Sequence, residues 1–126
     1  MPSERLGILL LSGRHDRAHY AFVLATGAAA LGRDVVLFAT NRGCHALLAD
    51  WSGLEDSGRN ERIISRGVAG LDELRQAAGE LRVRLIACEA GLHAEGLEGA
   101  RLLPGVEIAG IATFLDAVGE GRLLSF

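Results

Sequence analysis

The chain has 126 residues, a formal net charge of −3, 49% hydrophobic residues and only 5% aromatic ones. A chain of this length forms one domain, and it can bury a core of Leu, Ala, Val and Ile without disulfides or a structural metal. It contains no lysine, which excludes a Schiff-base lysine, and its scattered arginines form no basic run, which argues against nucleic-acid binding.

Short apolar runs predict five strands, and helical spacing or alanine-rich composition predicts the helices between them. In chain order we expect a strand at 7–11, a helix at 18–31, a strand at 34–39, a short helix at 44–49, a helix at 71–81, a strand at 83–87, a short helix within 91–101, a strand at 106–109, a helix at 112–118 and a strand at 122–126. The polar, glycine-rich stretch 50–60, with its lone Trp51, is predicted to be a mobile loop.

This alternation of strands and helices is typical of a parallel sheet covered by helices on both sides and joined by right-handed crossovers. The predicted fold class is therefore α/β, with a five-stranded, mainly parallel sheet in a three-layer α/β/α arrangement that is flavodoxin-like in outline. We expect residues 1–126 to form this single domain.

The first helix carries two further predictions. Asp16 is expected to be its N-cap and Gly32 its C-cap. Its only polar interruptions are His19 and Thr26, and a helix that is apolar all round is buried all round. We therefore expect its outer face to pack against another subunit.

The amino terminus has no secretory leader pattern, and the longest apolar stretch, 18–32, is too short to span a membrane. Two cysteines that lie far apart in the chain do not form a secreted disulfide framework. The sequence predicts a cytoplasmic protein with reduced thiols and no membrane partner.

Chemistry is expected at the carboxyl ends of the strands, where open parallel sheets place their sites. Three loops share that edge, at 12–17, 40–44 and 88–95, and both cysteines and every histidine except His19 lie in or beside them. Cys88, at the end of the third strand, is either a small apolar filler or a thiolate nucleophile. Gly91 allows a close approach behind it. His93 is the candidate catalytic partner, and it, or His15 across the cleft, would stabilise the thiolate or carry its proton.

The other candidates at this edge are binding residues. Cys44 follows Gly43 and is predicted to open a helix, where the dipole favours a thiolate. His15, with Ser12 and Gly13 before it, lies where helix-start amides could bind an anion or a persulfide. No nucleotide-binding motif is present, and Cys44, His45, Cys88 and His93 lack the ligand spacing of a zinc site, so we expect neither a cofactor nor a metal.

These loops also carry a resemblance to a known family. Its first half lies in Ser12-Gly13, the 18–32 helix, the strand 35–40 and Gly43, and its second half in Ile86-Ala87-Cys88, Gly96, Gly105-Val106-Glu107, the segment 110–115, Leu124 and Phe126. This ordered series resembles the DsrE/DsrF-like family, in particular its DsrE-like, peroxiredoxin-like branch. The chain departs from the branch at Asn41-Arg42, where an aromatic pair is usual, at Cys44, where an aliphatic residue is usual, and at Gly91-Leu92, where Ser-Met is usual.

The resemblance implies the YchN-like fold, homo-oligomers that are commonly trimers or hexamers, and intracellular sulfur trafficking with a persulfide on the cysteine that ends the third strand. Cys88 matches that position. The first hypothesis is thus a cytoplasmic sulfur carrier, or a sulfurtransferase-like enzyme, that works with a sulfur donor or acceptor protein. The alternatives are a non-catalytic oligomeric module that binds a small anionic ligand, and a dithiol redox switch between Cys44 and Cys88, whose Cα atoms would have to lie within about 7 Å.

Overall fold

The computed structural model describes residues 4–126. In chain order its elements are β1 (Arg5–Leu10), α1 (His15–Ala30), β2 (Asp34–Ala39), a 3-10 helix (Asn41–Leu47), α2 (Arg59–Ile64), α3 (Leu71–Glu80), β3 (Arg84–Cys88), α4 (Glu89–Ala94), β4 (Glu107–Ala109), α5 (Ile111–Val118) and β5 (Arg122–Ser125). Every predicted strand and helix is present, with ends that differ by a few residues. The sequence-based prediction lacks α2, because six residues are too few to show a helical period. The predicted domain, 1–126, includes residues 1–3, which lie outside the described range.

The five strands form one sheet in the order β4-β3-β2-β1-β5, and all four neighbouring pairs are parallel. Ala39, at the end of β2, lies level with Leu10 of β1 and Ala87 of β3, so the carboxyl ends of these strands form one edge. The connection from β4 to β5 joins the two outer strands and passes over the sheet through α5. This confirms the α/β class and the five-stranded sheet.

The two faces of the sheet are covered unequally. On one face α1 and α3 bury the main core, in which Phe22 and Leu37 are fully enclosed. On the other face α5 packs by itself, and Phe114 stacks on Phe38 with ring centroids 5.0 Å apart. α5 can lie close to the sheet because β1 has Gly7 beneath it: a Cβ there would stand 2.3 Å from a methyl of Val118.

The ends of α1 correct both predicted caps. The helix begins at His15, and its N-cap is Arg14, which caps through no side chain. Asp16 is therefore not the N-cap; it lies in the first turn and pairs with the Arg14 guanidinium at 3.2 Å. At the other end the C-cap is Leu31, and Gly32 is the left-handed residue directly after it, with φ +87° and its N–H bonded to the carbonyl of Ala29 at 2.9 Å.

The stretch 50–60 is not the mobile loop that its composition predicts. Leu54 is buried, and the Trp51 indole donates to Asp72 at 2.8 Å. The backbone of Glu55 bonds both Gly13, at 2.7 Å, and His15, at 2.9 Å. The segment therefore lies over the start of α1 as a fixed cover. Among the described residues, no helix is long and apolar enough to cross a bilayer.

Candidate functional site

The structure brings the ends of β1, β2 and β3 together at one edge of the sheet, as predicted. Glycines allow the loops there to touch. A Cβ on Gly13 would stand 2.6 Å from the Cβ of Arg42, and one on Gly43 would stand 2.3 Å from the Leu10 carbonyl oxygen. Gly13 and Gly43 therefore have a packing role, because a side chain at either position would clash with a neighbouring segment of the chain. Ser12 begins the same loop, and its hydroxyl accepts a hydrogen bond from the Arg14 N–H at 3.1 Å.

Cys88 ends β3 and is also the N-cap of α4, which begins directly after it at Glu89. Its sulfur accepts a hydrogen bond from the backbone N–H of Gly91, with N and Sγ 3.3 Å apart. A thiolate or a persulfide anion would accept the same bond more strongly, because hydrogen bonds to charged acceptors are the stronger class. The residue thus has a donor already in place for negative charge on sulfur.

Gly91 has a second reason to be glycine. A Cβ there would stand 2.6 Å from the Thr40 hydroxyl oxygen and 2.7 Å from the backbone nitrogen of Asn41. The first turn of α4 can pack against the end of β2 only because this side chain is absent. The contact that fixes α4 also fixes the N–H that points at Cys88.

The thiol of Cys88 lies on the α5 face of the sheet, in a cluster with Phe38, Ile86 and Phe114. The residue is 7% exposed, so it is buried rather than on the surface. Leu115 and Ile111, on α5, are each about half exposed. The cover of the sheet is therefore thinner on the face that holds Cys88.

Cys44 does not have the properties predicted for it. It is fully buried, donates to the Ala39 carbonyl at 3.6 Å, and belongs to the core cluster on the α1 and α3 face. Burial, with the nearby Cys88 thiol as a smaller cause, raises the pKa of the Cys44 thiol to about 11. The expectation of a dipole-favoured thiolate at Cys44 is therefore wrong, and the group is a neutral thiol at physiological pH.

Both cysteines are free, and their side chains lie in different clusters. The Cys88 thiol is nevertheless close enough to affect the pKa of Cys44. The structure shows no disulfide between them, and the dithiol switch stays a prediction.

His93 is exposed on α4 and makes no hydrogen bond to Cys88 among the described residues. It lies five residues after the N-cap, which places it well around the helix from the Gly91 N–H. The structure does not bring its imidazole to the thiol.

His15 is buried and takes part in a network that the sequence does not reveal. Asn60 Oδ1 accepts from the Leu71 backbone N–H at 2.8 Å and from His15 Nε2 at 2.9 Å. Arg59 donates to His15 Nδ1 at 3.2 Å. One ring nitrogen must donate and the other accept, so the imidazole is neutral. Burial, together with the charge of Arg59, lowers the pKa of His15.

The ring of His15 also stacks on that of His19, with centroids 5.7 Å apart, and lies beside Trp51 at 5.8 Å. His19 Nε2 donates to the Ala69 carbonyl at 2.8 Å. These contacts bury the imidazole, and the Glu55 carbonyl already accepts from the His15 N–H at 2.9 Å. The structure therefore adds no support for an anion or persulfide site at His15, and that role stays a prediction. Nothing local in the sequence announces Asn60 as its partner.

A positive charge in the loop after β2 is less constrained. Arg42 is exposed and, within residues 4–126, makes no ion pair, whereas Arg14 is held by Asp16 and Glu55. Asn41 before it has φ +50°, a left-handed conformation that asparagine tolerates better than most residues. Arg42 thus offers a free positive charge at the same edge as the thiol. In the described part of the chain, no group of three or more His, Cys, Asp or Glu side chains is arranged to hold a metal ion.

Two curated proteins are similar to the chain over nearly its whole length. Sulfur carrier protein DsrE2 of Allochromatium vinosum is 28% identical over 155 residues, covering 98% of each chain. The uncharacterized protein YrkE of Bacillus subtilis is 29% identical over 155 residues, covering 98% of this chain and 97% of its own.

Two solved structures share the fold. The ychN protein from E. coli superposes with a TM-score of 0.73 at 15% identity, covering 100% of both chains. The protein of unknown function MTH1491 from Methanobacterium thermoautotrophicum superposes with a TM-score of 0.64 at 18% identity, covering 98% of this chain and 100% of its own. At these identities the likeness establishes the fold alone. The model of the DsrE/DsrF-like family matches residues 5–126, and the chain belongs to that family.

Proposed function

We propose that this protein is a sulfur carrier that holds sulfane sulfur as a persulfide on Cys88 and passes it between partner proteins. The observation that carries the proposal is the Gly91 N–H, which already donates to Sγ at the carboxyl edge of the sheet. The family membership and a relative named as a sulfur carrier support the same class of function.

The chemistry balances without a cofactor. The Cys88 thiolate attacks the outer sulfur of a donor persulfide, a new S–S bond forms, and the donor leaves as its own thiolate. In the second step an acceptor thiolate attacks the outer sulfur on Cys88, the S–S bond breaks, and Cys88 returns to a thiolate. Sulfur moves at the same oxidation level in both steps, so no external oxidant or reductant is consumed.

The burial of Cys88 suits a carrier. A persulfide extends the side chain by one S–S bond of about 2 Å, which brings the transferable sulfur outward while Sγ keeps its bond to Gly91. Walls such as Phe38 and Phe114 exclude water from the inner sulfur. The free charge of Arg42, at the same edge of the sheet, would favour an anionic donor.

The partners of this relay are a sulfur donor and a sulfur acceptor protein in the cytoplasm, and the carrier itself is a homo-oligomer, a trimer or a hexamer. Support for assembly comes from Tyr20 on α1, which is 58% exposed, and from Leu31 at the C-cap of that helix, which is 76% exposed. Large apolar side chains on one helix face favour contact with another protein surface.

Sulfur loading tests the proposal directly. We expect intact-protein mass spectrometry after incubation with polysulfide, or with a persulfide-bearing donor, to show the mass of one added sulfur atom on the wild type. Cys88→Ser should show no adduct, and Cys44→Ser is the matched control that should load like the wild type. An unloaded wild type, or an equal adduct on Cys88→Ser, would refute the role of Cys88.

The near-complete burial of Cys88 favours one second candidate, a non-catalytic ligand-binding module in which the cysteine is filler. In that case Cys88 should react with iodoacetamide as slowly as the fully enclosed Cys44. A rate for Cys88 at neutral pH that is many times that of Cys44 would decide for the carrier.

A further inference from the structure

A cleft of about 620 Å³ lies at the opposite edge of the sheet from Cys88, where β1, β2 and β3 begin. Its charged lining residues are Arg5, Arg33, Arg82, Arg84, Asp34 and Asp116. The lining thus holds four cations and two anions on a protein whose formal net charge is −3. Positive charge is concentrated here against the overall balance of the chain.

Two of these arginines are held by acids outside the lining. Arg33 pairs with Glu4 at 3.5 Å, and Arg84 makes two parallel bonds of 3.0 Å to the carboxylate of Glu107. Arg5 and Arg82 make no ion pair within residues 4–126. The cleft therefore has two guanidinium groups outside any ion pair, in a lining that also holds the carboxylates of Asp34 and Asp116.

The backbone at Arg82 gives a second and independent observation. α1 and α3 end in the same way: the N–H of Gly32 bonds Ala29 and the next N–H bonds Ala28, while the N–H of Arg82 bonds Gly79 and the next N–H bonds Ala78. The left-handed residue in the first turn is Gly32, at φ +87°, but in the second it is Arg82, at φ +62°.

A side chain in the left-handed region is disfavoured, which is why helices so often end at glycine. The turn after α3 keeps an arginine where the turn after α1 has glycine, and that arginine faces the cleft. Strain of this kind is tolerated where the side chain is needed.

The carboxyl ends of α1 and α3 also lie at this edge, and their partial negative charge is offset by nearby cations. One cation at each helix end would offset this partial negative charge, whereas four guanidinium groups line the cleft. Guanidinium is planar and binds oxyanions through paired N–H groups, which makes arginine the residue suited to phosphate.

We infer that this cleft is a binding site for a small soluble compound that carries phosphate groups with at least two negative charges, with Arg5 and Arg82 as its principal contacts. The two guanidinium groups that make no ion pair within residues 4–126 favour two oxyanion contacts. The volume of the cleft is in the range of small-ligand sites. The site lies across the sheet from Cys88, so binding here is independent of sulfur loading.

Inorganic pyrophosphate is the probe, titrated calorimetrically into the full chain at low ionic strength. We expect saturable binding that weakens as salt is added, and at least a tenfold loss of affinity in Arg82→Gly. Because glycine relieves the left-handed strain, Arg82→Gly should melt at a temperature no lower than the wild type. Arg101→Ala removes an equal charge from an exposed position outside the cleft and should bind pyrophosphate like the wild type.

Absence of saturable binding to the wild type would overturn the inference. Unchanged affinity in Arg82→Gly would also overturn it, because Arg82 would then not contact the ligand. So would an equal loss of affinity in Arg101→Ala, because the loss would then follow from net charge alone. Arg5→Gln, which leaves every helix end intact, is the second variant and should also lose at least tenfold in affinity.

Discussion

Replacing Gly91 with alanine tests the link between packing and the proposed chemistry. Gly91 lies inside α4, where alanine is favoured over glycine by about 1 kcal/mol. A Cβ at this position, however, would stand 2.6 Å from Thr40 Oγ1 and 2.7 Å from the backbone nitrogen of Asn41. The backbone nitrogen of Asn41 cannot move aside as the end of a flexible side chain can. Forced insertion of a methyl group into packed structure costs about 1–3 kcal/mol of unfolding free energy.

The clash should outweigh the helix preference, and we expect Gly91→Ala to lose about 1–2 kcal/mol of unfolding free energy. Relief of the clash must also move the Gly91 N–H away from Cys88 Sγ. A hydrogen bond to a charged group is worth about 1.5–3 kcal/mol, so sulfur loading should slow by about tenfold or more.

Gly79→Ala is the matched control, because a Cβ on Gly79 of α3 meets nothing within 4 Å. It should gain up to about 1 kcal/mol in stability and load sulfur like the wild type. Urea unfolding measures the first effect and mass spectrometry the second. If Gly91→Ala proves as stable as Gly79→Ala, the close approach of α4 to β2 is not a constraint and the reasoning fails.

Three further outcomes are expected. In the native protein at pH 7 Cys44 should resist iodoacetamide, because the thiol is enclosed and a pKa of about 11 leaves only about one thiol in ten thousand as thiolate. Rapid alkylation of Cys44 would contradict its burial. Folding lowers the pKa of His15, so the unfolded chain binds more protons than the folded chain as the pH falls through about 6.5. Urea unfolding should therefore show a free energy of unfolding that falls between pH 7.5 and 5, and that falls by less in His15→Gln. An equal fall in both proteins would exclude His15 as the cause. Light scattering should show an oligomer that Tyr20→Asp with Leu31→Asp shifts towards monomer, and a monomeric wild type at micromolar concentration would remove the proposed contact through α1.

Local patterns determined the order and type of the elements. Apolar runs such as Val35–Phe38 mark strands that are covered on both faces, and such runs are visible in the sequence without any knowledge of their neighbours. Gly32 could be recognised as a helix end because its conformational freedom is a property of the residue itself. Cys88 could be placed at the carboxyl edge from the sequence alone. Parallel strands run in the same direction, so a residue that ends any strand along the chain lies at the carboxyl edge of the sheet.

The tertiary structure alone decided what each of these residues touches. The strand order β4-β3-β2-β1-β5 depends on which crossover passes over which strands, and no local period encodes that. The two cysteines looked alike in the sequence, but packing placed Cys44 in the main core with α1 and α3, and Cys88 in the separate cluster with α5. His15 looked like part of an open loop until the segment 50–60 folded over it and supplied Asn60, a partner 45 residues away. Long-range contacts of this kind form only when distant segments pack together, and this is why Cys88, held by Gly91, remains the candidate while Cys44 and His15 belong to the core.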